Sequence, residues 1–171
     1  SHVTLRNPHY RLEREIQAQR GRVLVRDTFT NLTDQPVGVI FTHHLAVDRA
    51  QVKQAYLAGW SVSPPITRPL KTNPTALAGL DKLGIGLVAL DDVLIIQSQG
   101  GCTDEGLRLG SREFALGANA SYTVEWAVYV NGSGDYYDLI NDLRADEGRT
   151  GTTVQGPWVS PGQLMSKRTV D

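Results

Sequence analysis

The sequence predicts an all-β fold, an antiparallel β-sandwich with one short helix near the C-terminus. Three observations point there. Apolar residues recur at every second position over most of the chain, the alternating runs are separated by clusters of Gly, Pro, Asn and Asp, and only one segment carries helical spacing. The 171 residues form most naturally one domain, large enough to enclose an apolar core without disulfides or metals.

Taken in order, His9 to Ala18 places Tyr10, Leu12 and Ile16 on one side and charged residues on the other, as in a half-buried strand. Arg22 to Thr30 puts Val23, Val25 and Phe29 on a face that also holds Asp27, which calls for an arginine partner. A polar turn, Asn31 to Pro36, leads to Val37–Val47. There Val39, Phe41, His43 and Leu45 share one face and Ile40, Thr42, His44 and Ala46 the other, so the two histidines point opposite ways.

Asp48 to Gly59 reads equally as short helix or strand, and the proline-rich Ser63–Pro74 cannot supply a central strand. Ile85–Leu90 and Val93–Ser98 read as buried strands joined by a tight hairpin at Asp91-Asp92, and Gly100–Gly106 reads as a loop. Leu107–Leu109 and Arg112–Leu116 follow as short strands, then a turn at Gly117–Ala120. Tyr122 to Val130 alternates most clearly of all.

The helix is expected over 136–147, with Asp135 as N-cap, apolar spacing at Leu139, Ile140 and Leu143, and Gly148 after its end. The expectation is thus a sandwich of roughly nine to twelve strands over residues 1–148, with a peripheral helix. Residues 149–171, rich in Gly, Thr, Ser and Pro around Trp158, read as a linker or docking tail towards a following domain.

Charge is balanced, 17 basic against 18 acidic residues, without a basic run, so no nucleic acid or membrane partner is expected. No apolar run reaches the roughly 20 residues that span a bilayer, and no signal peptide opens the sequence. Cys102 is a single thiol without metal-ligand neighbours. Sequons at Asn31, Asn119 and Asn131 all fall in expected turns.

Two segments carry a family likeness: Val25 to Leu45, with its Asn-x-Thr-x-x-Pro turn and His-His, and Ala115 to Tyr129. Together they resemble the β-sandwich accessory domains of large glycoside-hydrolase-like proteins and, more distantly, the galactose mutarotase supersandwich. The Tyr136–Arg144 helix followed by Gly156-Pro157 is similar to the junction where such a sandwich hands over to a catalytic barrel. The resemblance implies a supersandwich-like fold, a polysaccharide or oligosaccharide partner, an adjacent catalytic domain in the parent chain, and an extracellular or periplasmic setting. A mutarotase pattern also calls for a second histidine and a glutamate base later in the chain, and no histidine follows His44.

Sugars are held by flat aromatic faces and planar polar groups. The expected contact residues are therefore Trp60, at the head of the proline-rich segment, His44 on its mixed face, and Glu125 and Tyr129 on the polar face of the clearest strand. No catalytic residue is assigned. Asp91-Asp92 and Asp104-Glu105 are sequence neighbours in loops, unlike the separated acids of a glycosidase, and hairpin chemistry or calcium ligation accounts for them better. No cofactor is expected. The leading reading is a non-catalytic module that binds glycan or packs on a catalytic domain. The alternatives are a mutarotase-like enzyme using His44, which would make that residue catalytic, and a purely structural interdomain module.

Overall fold

The computed structural model describes residues 1–70, 73–149 and 151. Its strands are β1 (His2–Arg6), β2 (Tyr10–Gln19), β3 (Arg22–Asn31), β4 (Val37–Ala46), β5 (Gln54–Leu57), β6 (Trp60–Val62), β7 (Ile66–Pro69), β8 (Thr75–Gly79), β9 (Gly84–Ala89), β10 (Ser98–Thr103), β11 (Gly106–Leu116) and β12 (Ser121–Asn131). Two short helices, α1 (Asp92–Gln97) and α2 (Tyr136–Asp146), and a 3₁₀ turn at Arg49–Gln51 complete it. An eight-stranded sheet, β1-β2-β3-β12-β9-β8-β5-β6, packs on a four-stranded sheet, β4-β11-β10-β7, and every pairing is antiparallel. The all-β sandwich read from the two-residue period is the fold of the chain.

The inner faces are those the alternation marks. Val25 and Phe29 of β3, Val39 of β4, Leu107 and Leu109 of β11 and Val124 and Trp126 of β12 meet between the sheets. The turn after β3 carries the chain from one sheet to the other, and Asn31 fixes it. Its amide donates to the carbonyls of Gln35 (2.7 Å) and Gly117 (2.8 Å) while its Oδ1 accepts from the Thr33 backbone N–H (2.9 Å). The Asn-x-Thr-x-x-Pro signature is thus turn geometry in this chain, and the Asn31 side chain is buried rather than offered to a glycan.

α2 forms where expected. Asp135 caps it by accepting from Tyr137 N–H (2.7 Å), and Gly148 follows at φ +69°. The helix lies on the outer face of the large sheet, where Leu139 joins Leu77, Val88, Ala127 and Tyr129 in a second apolar cluster. Gly86 makes room for it, since a Cβ there would meet the Leu139 methyls at 2.9 Å.

Three local expectations are corrected. Asp91-Asp92 does not close a hairpin: Asp91 is the N-cap of α1, accepting from Val93 and Leu94 N–H at 3.1 Å, so Val93–Gln97 is helical. A short apolar run has no decisive period, and the cap decided it. Gly100–Gly106 is not a loop, because most of it lies in β10, an interior strand of the small sheet. Its glycines admit close neighbours: a Cβ on Gly100 would sit 2.5 Å from Leu70, and one on Gly101 2.9 Å from Thr67 Oγ1. The two short strands Leu107–Leu109 and Arg112–Leu116 are one strand, β11, interrupted by a register shift between Ser111 and Phe114.

β1 and β8 are strands that the alternation did not single out. Among the described residues the proline-rich segment supplies one strand, β7, at a sheet edge, as proline requires. Apart from residues 149 and 151, the expected tail 149–171 lies outside the described residues.

Candidate functional site

At the centre of the sandwich the row Val3–Arg14–Asp27–Val124 crosses β1, β2, β3 and β12. Asp27 is fully buried and receives Arg14 twice, Nε to Oδ1 at 2.7 Å and Nη2 to Oδ2 at 2.8 Å, with the Trp126 indole N–H at 3.0 Å. The arginine partner that the sequence demanded is therefore Arg14. The hydrogen bonds that Arg14 donates to Asp27 raise its guanidinium pKa.

His43, 5% exposed, reaches into the same cluster from the small sheet and stacks on Trp126. Arg14 Nη2 lies 3.2 Å from His43 Nδ1 and can only donate, so the neutral ring carries its proton on Nε2. Burial, followed by the nearby Asp27 and Arg14 charges acting in opposite directions, leaves His43 with a pKa lowered to about 4.

The four expected contact residues do not form one site. His44 is exposed on the outer face of the small sheet, where its Nε2 lies 2.8 Å from the Glu105 carbonyl and donates to it. Glu125 points outward from the large sheet, on the opposite side of the sandwich, and is held by Arg26 at 2.5 Å.

Tyr129 is not on a wet face. It is 1% exposed beneath α2, accepts from Arg22 at 2.8 Å and donates to Asp146 at 2.9 Å, and burial pushes its hydroxyl up to about 12. Alternation separates the two faces of a strand; it cannot say that a later helix will cover the second one. Trp60 is 65% exposed on the edge strand β6, opposite Leu57 in register, and belongs to the other sheet from His44.

The neighbours of His44 were not visible in the sequence. Register sets Thr67, Gly101, Arg108 and His44 in one outward row and Gln99, Gly110 and Thr42 in the next. Over these rows runs a groove of about 320 Å³, bordered by Ile40, Arg108 and Arg112. Gly110 lies in its lining without a side chain, and a Cβ there would meet the Phe41 carbonyl at 2.2 Å. Thr42, Gln99 and the two arginines offer hydroxyl, amide and guanidinium groups, and among the described residues no carboxylate lines the groove. Glu105, just beyond it, is bound to Arg108. Such a face can hydrogen-bond sugar hydroxyls and holds no acidic group for general acid or base chemistry.

A larger trough of about 520 Å³ opens beside the start of α2, walled by Tyr56 and Tyr137. Of its acids, Asp135 caps the helix and Asp81 stands exposed 3.8 Å from Lys53. Tyr137 is an exposed aromatic outside the four expected contact residues, and its place in the first turn of the expected helix is the sequence signal for it. Among the described residues, no group of three or more His, Cys, Asp or Glu side chains is gathered to hold a metal ion, and Asp91 spends its oxygens on the α1 cap, Tyr122 and Glu125 N–H.

No family model and no curated protein matches this sequence. Solved structures do. A polysaccharide lyase is 18% identical with a TM-score of 0.53, over 82% of this chain and 23% of its own. An aldose 1-epimerase-like protein from Klebsiella pneumoniae is 11% identical with a TM-score of 0.58, over 85% of this chain and 53% of its own. The Slr1438 protein of Synechocystis sp. PCC 6803 is 12% identical with a TM-score of 0.54, over 77% and 61% respectively.

This chain thus shares a sandwich fold with carbohydrate-related proteins, consistent with the galactose mutarotase-like sandwich of the sequence resemblance. It spans about a quarter to three fifths of the length of these structures. No helix among the described residues is long and apolar enough to cross a membrane.

Proposed function

We propose that the chain is a non-catalytic, carbohydrate-associated module of a larger glycoside-hydrolase-like protein, working outside the cell or in the periplasm, and that it binds glycan on the outer face of the small sheet. The observation that carries this reading is the groove beside His44, with Thr42, Gln99, Arg108 and Arg112 as hydrogen-bonding groups and, among the described residues, no carboxylate in its lining. Sugar epimerisation needs a proton acceptor and a proton donor facing one ring. His44 donates its Nε2 proton to a backbone carbonyl, and no acid stands ready across the groove. Trp60 is a separate exposed aromatic contact on β6.

Two measurements test this together. In affinity electrophoresis through gels containing polysaccharides, the wild-type chain is retarded by at least one glycan, and both His44→Ala and Arg112→Gln reduce the retardation. In polarimetry the chain leaves sugar mutarotation at the buffer rate. Absence of retardation on every glycan would reduce the module to an interdomain scaffold, and a mutarotation rate above buffer that His44→Ala abolishes would make it an enzyme.

A further inference from the structure

The small sheet ends at β4, while the large sheet continues through β2 to β1. Beyond β4 no described strand of the small sheet faces them, and the inner side of β1 and β2 borders a cleft of about 320 Å³. Leu5, 61% exposed, and the rings of Tyr10 and Phe41 give it apolar walls, Arg6 stands at its rim, and Arg14 and His43 line it as well. It lies on the other side of β4 from the groove beside His44.

Three properties of this cleft belong together. Among the described residues no acid lines it, and Asp27 neutralises Arg14 from behind, so the charge left over is that of Arg6, which makes no side-chain hydrogen bond or ion pair with any described residue. Its hydrogen-bonding capacity is mostly donors. Arg14 spends Nε and Nη2 on Asp27 and His43, leaving Nη1 without a partner, and the Asn7 carbonyl oxygen is already used by the His9 and Tyr10 N–H groups at 2.8 Å. Finally, the His43 ring closes the inner end, its buried Nε2 facing Asp27 Oδ2 at 3.5 Å without a hydrogen bond to any described residue. An unpaired cation at the rim, a free Arg14 Nη1 and apolar rings call for an acceptor with negative charge and an apolar body.

We infer that the mouth of the sandwich beyond β4 is a second binding site for a carboxylate carried on a compact body with an apolar face, with Arg6 and Arg14 as anion contacts and Tyr10 and Phe41 against that face. Such a carboxylate comes from an acidic sugar or from a non-sugar acid. The site does not rest on the glycan groove, with which it shares Thr42 alone.

The test is a titration followed by NMR of the Arg14 Nε–H and the His43 ring nitrogens, with glucuronate, glucose and cyclohexanecarboxylate as probes. Saturable shifts with glucuronate and none with glucose support the site and make the ligand an acidic sugar. Shifts with cyclohexanecarboxylate alone support it and make the ligand a non-sugar acid. Arg6→Gln, at an exposed position where folding is not at stake, weakens the binding about tenfold, while His44→Ala leaves it unchanged. Binding of glucose as strong as that of glucuronate, no shift with either carboxylate, or an unchanged affinity in Arg6→Gln would overturn the inference. None of these results bears on retardation by glycans in the gel.

Discussion

The imidazole of His43 on β4 stacks on the indole of Trp126 on β12, ring centres 4.1 Å apart and planes 14° from parallel. One sheet is thereby keyed to the other through two rings that both lie against Asp27. The ring stays neutral there because its pKa is lowered to about 4, against 6.5 for a free histidine. The unfolded chain thus takes up a proton on His43 at a higher pH than the folded one does. This contribution to stability is complete above pH 6.5 and is lost as the pH falls towards 4, a change of roughly 3 kcal/mol. Urea unfolding across this range should show the decline, and His43→Gln should flatten it.

Removing the carboxylate leaves Arg14 and the Trp126 N–H facing a void. Asp27→Ala is expected to cost about 3 kcal/mol, the lower end of what breaking a buried pair costs. Arg14, with its side chain 31% exposed, can turn part of its guanidinium to water. Denaturant titration of the variant measures it.

Tyr129 tests a different joint. Its hydroxyl links Arg22 on β3 with Asp146 at the end of α2, and that ion pair persists without it at 3.3 Å. Tyr129→Phe is therefore expected to cost only about 1 kcal/mol and to leave glycan retention untouched. With its hydroxyl pushed up to about 12, Tyr129 stabilises the fold fully below pH 10 and loses that contribution as the pH rises to 12. In the ultraviolet absorbance of phenolate, Tyr129→Phe should remove the component that ionises near pH 12, leaving Tyr122, whose hydroxyl is also raised by burial.

The floor of the groove depends on Gly110. A methyl group there meets the Phe41 carbonyl at 2.2 Å and the Thr42 Cα at 2.8 Å, both backbone atoms that must move. Gly110→Ala is expected to destabilise by about 1 to 3 kcal/mol. It should also weaken glycan retention by disturbing the rows that hold Thr42 and Gln99, in contrast to Trp60→Ala, which leaves unfolding within about 0.5 kcal/mol of wild type. Thermal unfolding of the two variants separates these effects.

How much of this was legible in the sequence follows from what a period can carry. Alternation over Tyr10–Ile16, Val23–Phe29 and Val37–Leu45 marked the core face, and with it the odd position of Asp27 and the opposed directions of His43 and His44. The partners were not legible. That Arg108 lies beside His44 while Glu125 lies on the far side of the molecule is a matter of which strand pairs with which, and pairing is set by contacts distant in sequence. Tyr129 looked wet because only the packing of α2 makes it dry. α1 and β10 were misread because Asp91 capping and two closely approached glycines outweighed the local run of residue types.

The most direct test is to map backbone amide shifts during titration with a glycan that a glycan array shows the chain to retain. The account predicts shifts concentrated on Thr42, His44, Gln99 and Arg108, across β4, β10 and β11. No retained glycan, or shifts confined to other surfaces of the sandwich, would contradict it.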